Sequence, residues 1–193
     1  VILVSAALLF LPGLGRAQAT PPFIMSVSGG LFYPSYAEYR PTFQSSSDLI
    51  WSIGGSYPLE QSWFLTGDVA FFSSEAFFSP AMDTSIRLTE RMIHFGAMRK
   101  AYLGGALFLR IMGGFNLVSV KHETSGPNAQ GTSVEADRKV GYFAGVGVEE
   151  LLPGQNIALC GNIIYDYRRV QQPDLAGDFG GVRLVLGLEF ILR

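Results

Sequence analysis

Residues 181–190 read GVRLVLGLEF. Every second residue, Val182, Leu184, Leu186, Leu188 and Phe190, is apolar, while Arg183, Val185, Gly187 and Glu189 take the alternate positions. A period of two puts successive side chains on opposite faces of a strand, so this segment has one greasy side and one polar side. Its length suits a tilted strand crossing a bilayer, which takes roughly 9–11 residues.

Seven segments upstream share the period, over residues 23–33, 48–59, 63–73, 86–99, 105–121, 140–149 and 156–168. In the sixth, Val140, Tyr142, Ala144, Val146 and Val148 oppose Gly141, Phe143, Gly145, Gly147 and Glu149. The fourth is the least regular. Its apolar face is Ile93, Phe95 and Ala97, and Arg87, Thr89 and Arg91 share that parity further up. That upper part either stands above a membrane or is shifted in phase by a bulge.

The links between segments alternate in length. Residues 60–62, 101–104 and 150–154 are short turns, whereas 34–47, 74–85, 122–139 and 169–180 read as long loops. Short turns at one end and long loops at the other are the pattern of a transmembrane barrel. The fold class expected is therefore all-β, an eight-stranded antiparallel up-and-down barrel in one domain. An even strand count puts both chain ends on the short-turn, periplasmic side.

Composition agrees with this reading. The chain is rich in glycine (23 residues) and aromatics (13%) and poor in charge (16%), yet no apolar run is long enough for a transmembrane helix. Closed barrels are the other way to satisfy a backbone inside lipid. A formal net charge of −2 with dispersed basic residues gives no nucleic-acid footprint. The single cysteine, Cys160, has no partner in the chain and falls on the polar face of its segment as a small buried filler. Residues 1–19 (VILVSAALLFLPGLGRAQA) read as a secretory signal peptide that lacks its basic start and is cleaved after Ala17-Gln18-Ala19. The barrel domain then occupies residues 20–193.

Alternation alone does not say which face meets lipid, since a soluble lipocalin-type barrel has the same period turned inside out. Three features favour apolar outward. The polar face is rich in Gly and Ser, which suits a narrow interior. It carries charges of both signs: Asp68, Arg110, Glu149, Asp166, Arg183 and Glu189, with Glu90 a further candidate. Aromatics gather near strand ends, with Tyr57, Trp63 and Tyr102 at the short-turn end and Tyr33, Tyr36, Phe71, Phe72 and Tyr167 at the other. Because an isolated buried charge is costly, Arg110 and Arg183 are expected to neutralise some of the four carboxylates and to plug the lumen.

The glycine-aromatic run from Gly141 to Glu149 and the closing strand with Leu184, Leu186, Leu188 and Phe190 resemble the OmpA/OmpX-like family of small outer-membrane barrels. The resemblance implies a cell outer-membrane location and contact with membrane lipid and lipopolysaccharide, and the barrel is expected to be monomeric or weakly associated. It also implies recognition of the last strand by the barrel assembly machinery. Closing strands of the family usually end on an aromatic residue, whereas here Ile191, Leu192 and Arg193 follow Phe190. Members include structural anchors, adhesins, serum-resistance proteins and some lipid A-modifying enzymes.

Candidate chemistry is sparse. His94 and His122 have no metal-ligand spacing to another His or Cys, and neither a phosphate-binding glycine loop nor a nucleophile elbow is present. Ser85, Glu90 and His94 are near one another in the chain, but the His-x-Ser-Asn stretch of the lipid A deacylase barrels is missing. No cofactor or metal is implied, and the chain reads as a non-enzyme. The loops are the remaining candidates. Tyr36, Tyr39 and Arg40, with the pair Phe77 and Phe78, would offer contacts to a host or cell-surface ligand, or would pack over the barrel mouth. The function expected is structural or surface-interacting. The alternatives are a lipid A-modifying enzyme, a small porin or transporter, and, least favoured, a soluble carrier.

Overall fold

The first and last strands of the chain pair with each other. β1 (Phe23–Pro34) runs antiparallel to β10 (Gly181–Leu192), from Phe23 opposite Leu192 to Pro34 opposite Gly181. In the computed structural model, which describes residues 23–37, 39–60, 62–79, 84–126, 132–172 and 175–192, this pairing closes a barrel. The other wall strands are β2 (Asp48–Pro58), β3 (Trp63–Ser79), β4 (Thr84–Gly104), β5 (Leu107–Ser125), β6 (Thr132–Leu151) and β7 (Ile157–Tyr167). Neighbours around the wall are β1-β10-β7-β6-β5-β4-β3-β2, all antiparallel. All eight alternating segments are wall strands. The expected signal peptide lies outside the described residues.

The long connections are not loops throughout. β3 continues to Ser79, β4 begins at Thr84, β5 continues to Ser125 and β6 begins at Thr132. Three of the expected loops are thus largely strand: two are wall strands running on above the belt, and the last carries a hairpin, β8 (Arg169–Gln172) with β9 (Leu175–Asp178). Register pairing satisfies the backbone there, which polar, solvated side chains do not prevent. The upper part of β4 keeps its phase, because pairing with β5 is continuous from Ser85 to Tyr102. The first long link carries a short helix, α1 (Tyr39–Phe43), which stops at Gln44 in the left-handed region (φ 53°). At the opposite end, Gly105 (φ 61°) and Gly154 (φ 70°) take the positive φ that tight turns need.

The barrel is apolar outward. Leu186 is 75% exposed and Phe95 60%, while Arg183 is 1% exposed. Narrowness shows in the inward glycines. A Cβ on Gly96 would stand 2.2 Å from the Gly113 carbonyl oxygen and 2.9 Å from the Gly114 Cα, so the wall coils there more tightly than a side chain permits.

The interior is not only small residues and charge. Its mouth half holds a large apolar cluster that includes Phe32, Ile50, Phe72, Leu88, Met92, Val120, Phe143 and Phe179, capped by Tyr39 and Phe43 of α1. Phe72, expected in the outer aromatic girdle, points inward because it alternates with Phe71. A smaller cluster of Ile24, Phe64 and Met98 closes the short-turn end.

Candidate functional site

The lumen carries three charged groups alongside and between those two apolar clusters. The lowest joins four strands. Arg110 on β5 reaches Glu189 on β10 at 2.7 Å and Glu149 on β6 at 3.7 Å. Lys100 on β4 lies 2.5 Å from Glu149 and 3.4 Å from Glu189, with its ammonium 4.9 Å from the Phe64 ring centroid. Two cations therefore face two carboxylates, and Cys160 sits buried on the same inner wall.

The middle group is centred on His94. Its Nε2 is 2.8 Å from Asp166 Oδ1 and its Nδ1 3.1 Å from Asp68 Oδ2. A neutral imidazole carries one N–H and donates to only one of these carboxylates; the imidazolium donates to both. Arg183 donates to Asp166 Oδ2 from Nε at 2.7 Å and lies 3.5 Å from Asp68. Asn116 Nδ2 donates to Asp166 Oδ1 at 3.1 Å. The edge of the His94 ring meets the Phe143 ring at 5.1 Å between centroids, which fixes the imidazole plane.

The upper group is a fully buried pair, Arg168 with Glu90, with the guanidinium 5.8 Å from the Phe32 ring centroid. Above it, Tyr39 and Ser74 each donate a hydroxyl to Asp48 Oδ2 at 2.5 Å, tying α1 to β2 and β3. Burial, then the hydrogen bond to Asp48, holds the Tyr39 phenol above its usual range. Across all three groups, five carboxylates face four fixed cations and His94.

The six charges expected inside fall into two of these groups, Arg110 with Glu149 and Glu189, and Arg183 with Asp68 and Asp166. His94 and Lys100 were missed. Lys100 shares parity with His94, Gly96 and Met98, so it turns inward once β4 is continued past residue 99. Arg168, at the end of the seventh alternating segment, shares the parity of Asp166 and so faces inward too. Ser85 stands near the mouth end of β4, on the face opposite His94, and the three residues Ser85, Glu90 and His94 form no triad. Among the described residues no three His, Cys, Asp or Glu side chains are grouped to hold a metal.

The candidate loop contacts separate. Arg40 is exposed. Tyr36 stacks on Phe179 at 4.6 Å, and Tyr39 is buried, facing the lumen because α1 folds over the mouth. Tyr39 is therefore a packing residue, not a surface contact. Phe77 and Phe78 belong to β3 and not to a loop, and their side chains lie outside the described residues.

No protein-family model and no curated protein matches the sequence. Solved structures do. Neisserial surface protein A is 10% identical, covers 88% of this chain and 96% of its own, and superposes with a TM-score of 0.59. Ail, the attachment invasion locus protein of Yersinia pestis, solved with the heparin analogue sucrose octasulfate, is 16% identical over 87% of this chain and 99% of its own (TM-score 0.56). A major outer membrane protein from Thermus thermophilus is 13% identical over 87% and 98%, with a TM-score of 0.61. The fold is that of the small outer-membrane β-barrels.

For an outer-membrane barrel the outward surface is the other half of the site. The exposed Leu, Ile, Val and Phe side chains ring the wall as an apolar belt of the kind that faces lipid in membrane-spanning barrels. Aromatic pairs stack on the outward face near the mouth side of the belt, Trp51 on Phe71 at 4.3 Å and Tyr142 on Tyr167 at 4.8 Å. At the short-turn end Tyr57 and Tyr102 are exposed. Above the belt the outward charges pair, Arg87 with Glu75 at 2.9 Å and Lys121 with Glu123 at 2.6 Å.

Proposed function

We propose that this chain is a non-enzymatic outer-membrane anchor that presents a recognition crown outside the cell. The observation that carries the reading is the inversion of the barrel: apolar outside, with ion pairs and an apolar cluster inside. The lumen acts as a plug. Opposed charges neutralise one another at close range, and the aromatic cluster under α1 occupies the mouth half. An eight-stranded wall leaves room for little else.

The crown is made by the strand extensions beyond the belt, the β8–β9 hairpin and α1. It is held stiffly, by the Tyr39–Asp48–Ser74 clasp and by the Ser35 N–H donating to the Gly180 carbonyl at 2.7 Å. A rigid scaffold carrying exposed loops is the usual platform for recognition. Ail, similar in fold, was solved with a heparin analogue, and exposed Arg40 and Arg169 on this crown are suitable contacts for a sulfated or otherwise anionic surface polymer.

The test is replacement of residues 35–47 and 169–180 by short Gly-Ser links, with cell adhesion and serum survival as readouts. Loss of either with a folded barrel supports the crown as the working surface. Unchanged behaviour would leave an anchoring role alone. Stepwise conductance of the wild-type chain in planar bilayers would defeat the plug.

A further inference from the structure

β4 carries an arginine at each end of its apolar stretch. Arg91 and Arg99 share the outward face with Ile93, Phe95 and Ala97, which lie between them. Each arginine sits directly opposite an aromatic residue of β3, Arg91 opposite Phe71 and Arg99 opposite Trp63. The guanidinium carbons are 5.7 and 5.8 Å from the respective ring centroids. Eight residues of strand at about 3.3 Å each, tilted about 40°, rise about 20 Å. That is close to the height of a lipid-facing belt, about 25 Å. The two arginines therefore mark the edges of the belt on this wall.

The edge at Arg91 is visible on both neighbouring strands. On β3 the outward sequence changes from Val69 and Phe71 to Ser73 and Glu75, and on β5 from Phe115 and Leu117 to Ser119 and Lys121. Ser119 lies directly opposite Arg91. One step higher, the charges are already paired within the protein, Arg87 with Glu75 and Lys121 with Glu123. Arg91 differs from them. It is exposed, no carboxylate among the described side chains pairs with it, and its guanidinium lies over the Phe71 ring, itself stacked on Trp51. The ring covers a face of the guanidinium and does not occupy its in-plane N–H groups. A guanidinium at the edge of hydrocarbon demands an anion, and its planar fork fits a phosphate with two hydrogen bonds.

We propose that Arg91 binds a phosphate of lipid A in the outer leaflet. The inference rests on the outer-membrane reading with the crown outward, since lipid A phosphates lie at that edge of that leaflet only. Phe71 and Trp51 form the platform that holds the arginine in place, and the acyl chains descend along Ile93 and Phe95.

The purified full chain, folded in non-ionic detergent, is titrated with bisphosphorylated lipid A, dephosphorylated lipid A and phosphatidylglycerol, and bound lipid is counted by native mass spectrometry. The wild type should bind bisphosphorylated lipid A more tightly than either other lipid. Arg91→Gln should weaken that binding on the order of tenfold, the loss expected for charge-assisted hydrogen bonds. Arg91→Lys should fall between the two, and Arg87→Gln, whose partner is Glu75, should stay within roughly twofold. Dephosphorylated lipid A should bind wild type and Arg91→Gln alike. Equal lipid A binding by wild type and a folded Arg91→Gln chain overturns the proposal while leaving the barrel reading intact. Phosphatidylglycerol binding as tightly as lipid A overturns the choice of lipid A. A wild-type chain that does not enter bilayers removes the membrane reading, and this inference with it.

Discussion

Arg110 and Glu189 meet at 2.7 Å across the lumen from strands that are not neighbours in the wall; β6 and β7 stand between β5 and β10. The contact therefore braces the barrel from within, unlike any backbone ladder. Replacing Arg110 with Ala leaves Glu149 and Glu189 sharing Lys100 alone. Breaking a buried pair on one side costs about 3–5 kcal/mol. The expected result is a folded barrel that unfolds at clearly lower denaturant or temperature in detergent. Adding Glu189→Gln to Arg110→Met should recover much of that loss. A single variant as stable as wild type would mean that the lower charges carry no structural load.

His94 bridges Asp68 and Asp166 and touches Phe143, so it ties β3, β4, β6 and β7 together at one point. His94→Ala should cost about 2 kcal/mol or more, because hydrogen bonds to charged groups contribute about 1.5–3 kcal/mol each. Asp68→Asn should cost less than Asp166→Asn, since Asp68 is the partly exposed partner and Asp166 is fully buried. Urea titration of these last two variants in the same detergent gives the order. Equal losses would show that Asp68 matters as much as the buried partner.

Glycines on the two faces of one wall should respond differently. Gly96 points inward against the backbone of Gly113 and Gly114, and an added methyl meets the Gly113 oxygen at 2.2 Å. Gly113 points outward, where the nearest backbone oxygen would be 3.3 Å away. Gly96→Ala should destabilise by several kcal/mol or block folding, on the scale of overpacking a tight site, about 1–3 kcal/mol or more. Gly113→Ala should stay near wild type in folding yield. Similar yields for the two would contradict the tight coiling at Gly96.

Tyr39→Phe removes one of the two hydroxyls on Asp48 and keeps the ring. The barrel should keep its stability, while α1 and the mouth lose about 1–2 kcal/mol of local protection, read by hydrogen exchange. The pH dependence follows from the raised phenol. A folded-state pKa above the unfolded value, about 10, gives a contribution that is complete below that pH and is lost as pH rises through the folded value. The difference between wild type and Tyr39→Phe should therefore be constant through neutral pH and shrink only in strong alkali. Shrinkage near neutrality would place the titration elsewhere.

Much of this protein is local in origin and so was legible in the chain. A period of two is written residue by residue, and Leu184, Leu186 and Leu188 against Arg183 and Glu189 already assign the two faces of β10. Link lengths set the strand count and the side of the termini. Three things were not legible. The strand extensions to Ser79 and Ser125 are polar, and only pairing with a neighbour makes them strand. Phe72 looks like a girdle aromatic in one dimension, yet it packs edge to face on Phe32 inside the mouth at 5.0 Å. The charges on the inner wall were visible as a set, but their partners were not. Arg168 with Glu90 and His94 with Asp166 each join residues far apart in the chain, across a lumen whose stagger is set when β1 closes on β10. The sequence by itself sorted the side chains into two faces, because alternation is a property of one strand, and the Gly, Ser and charge of one face marked it as the inward one. Only the tertiary structure decided who meets whom inside, because register and shear belong to the closed ring.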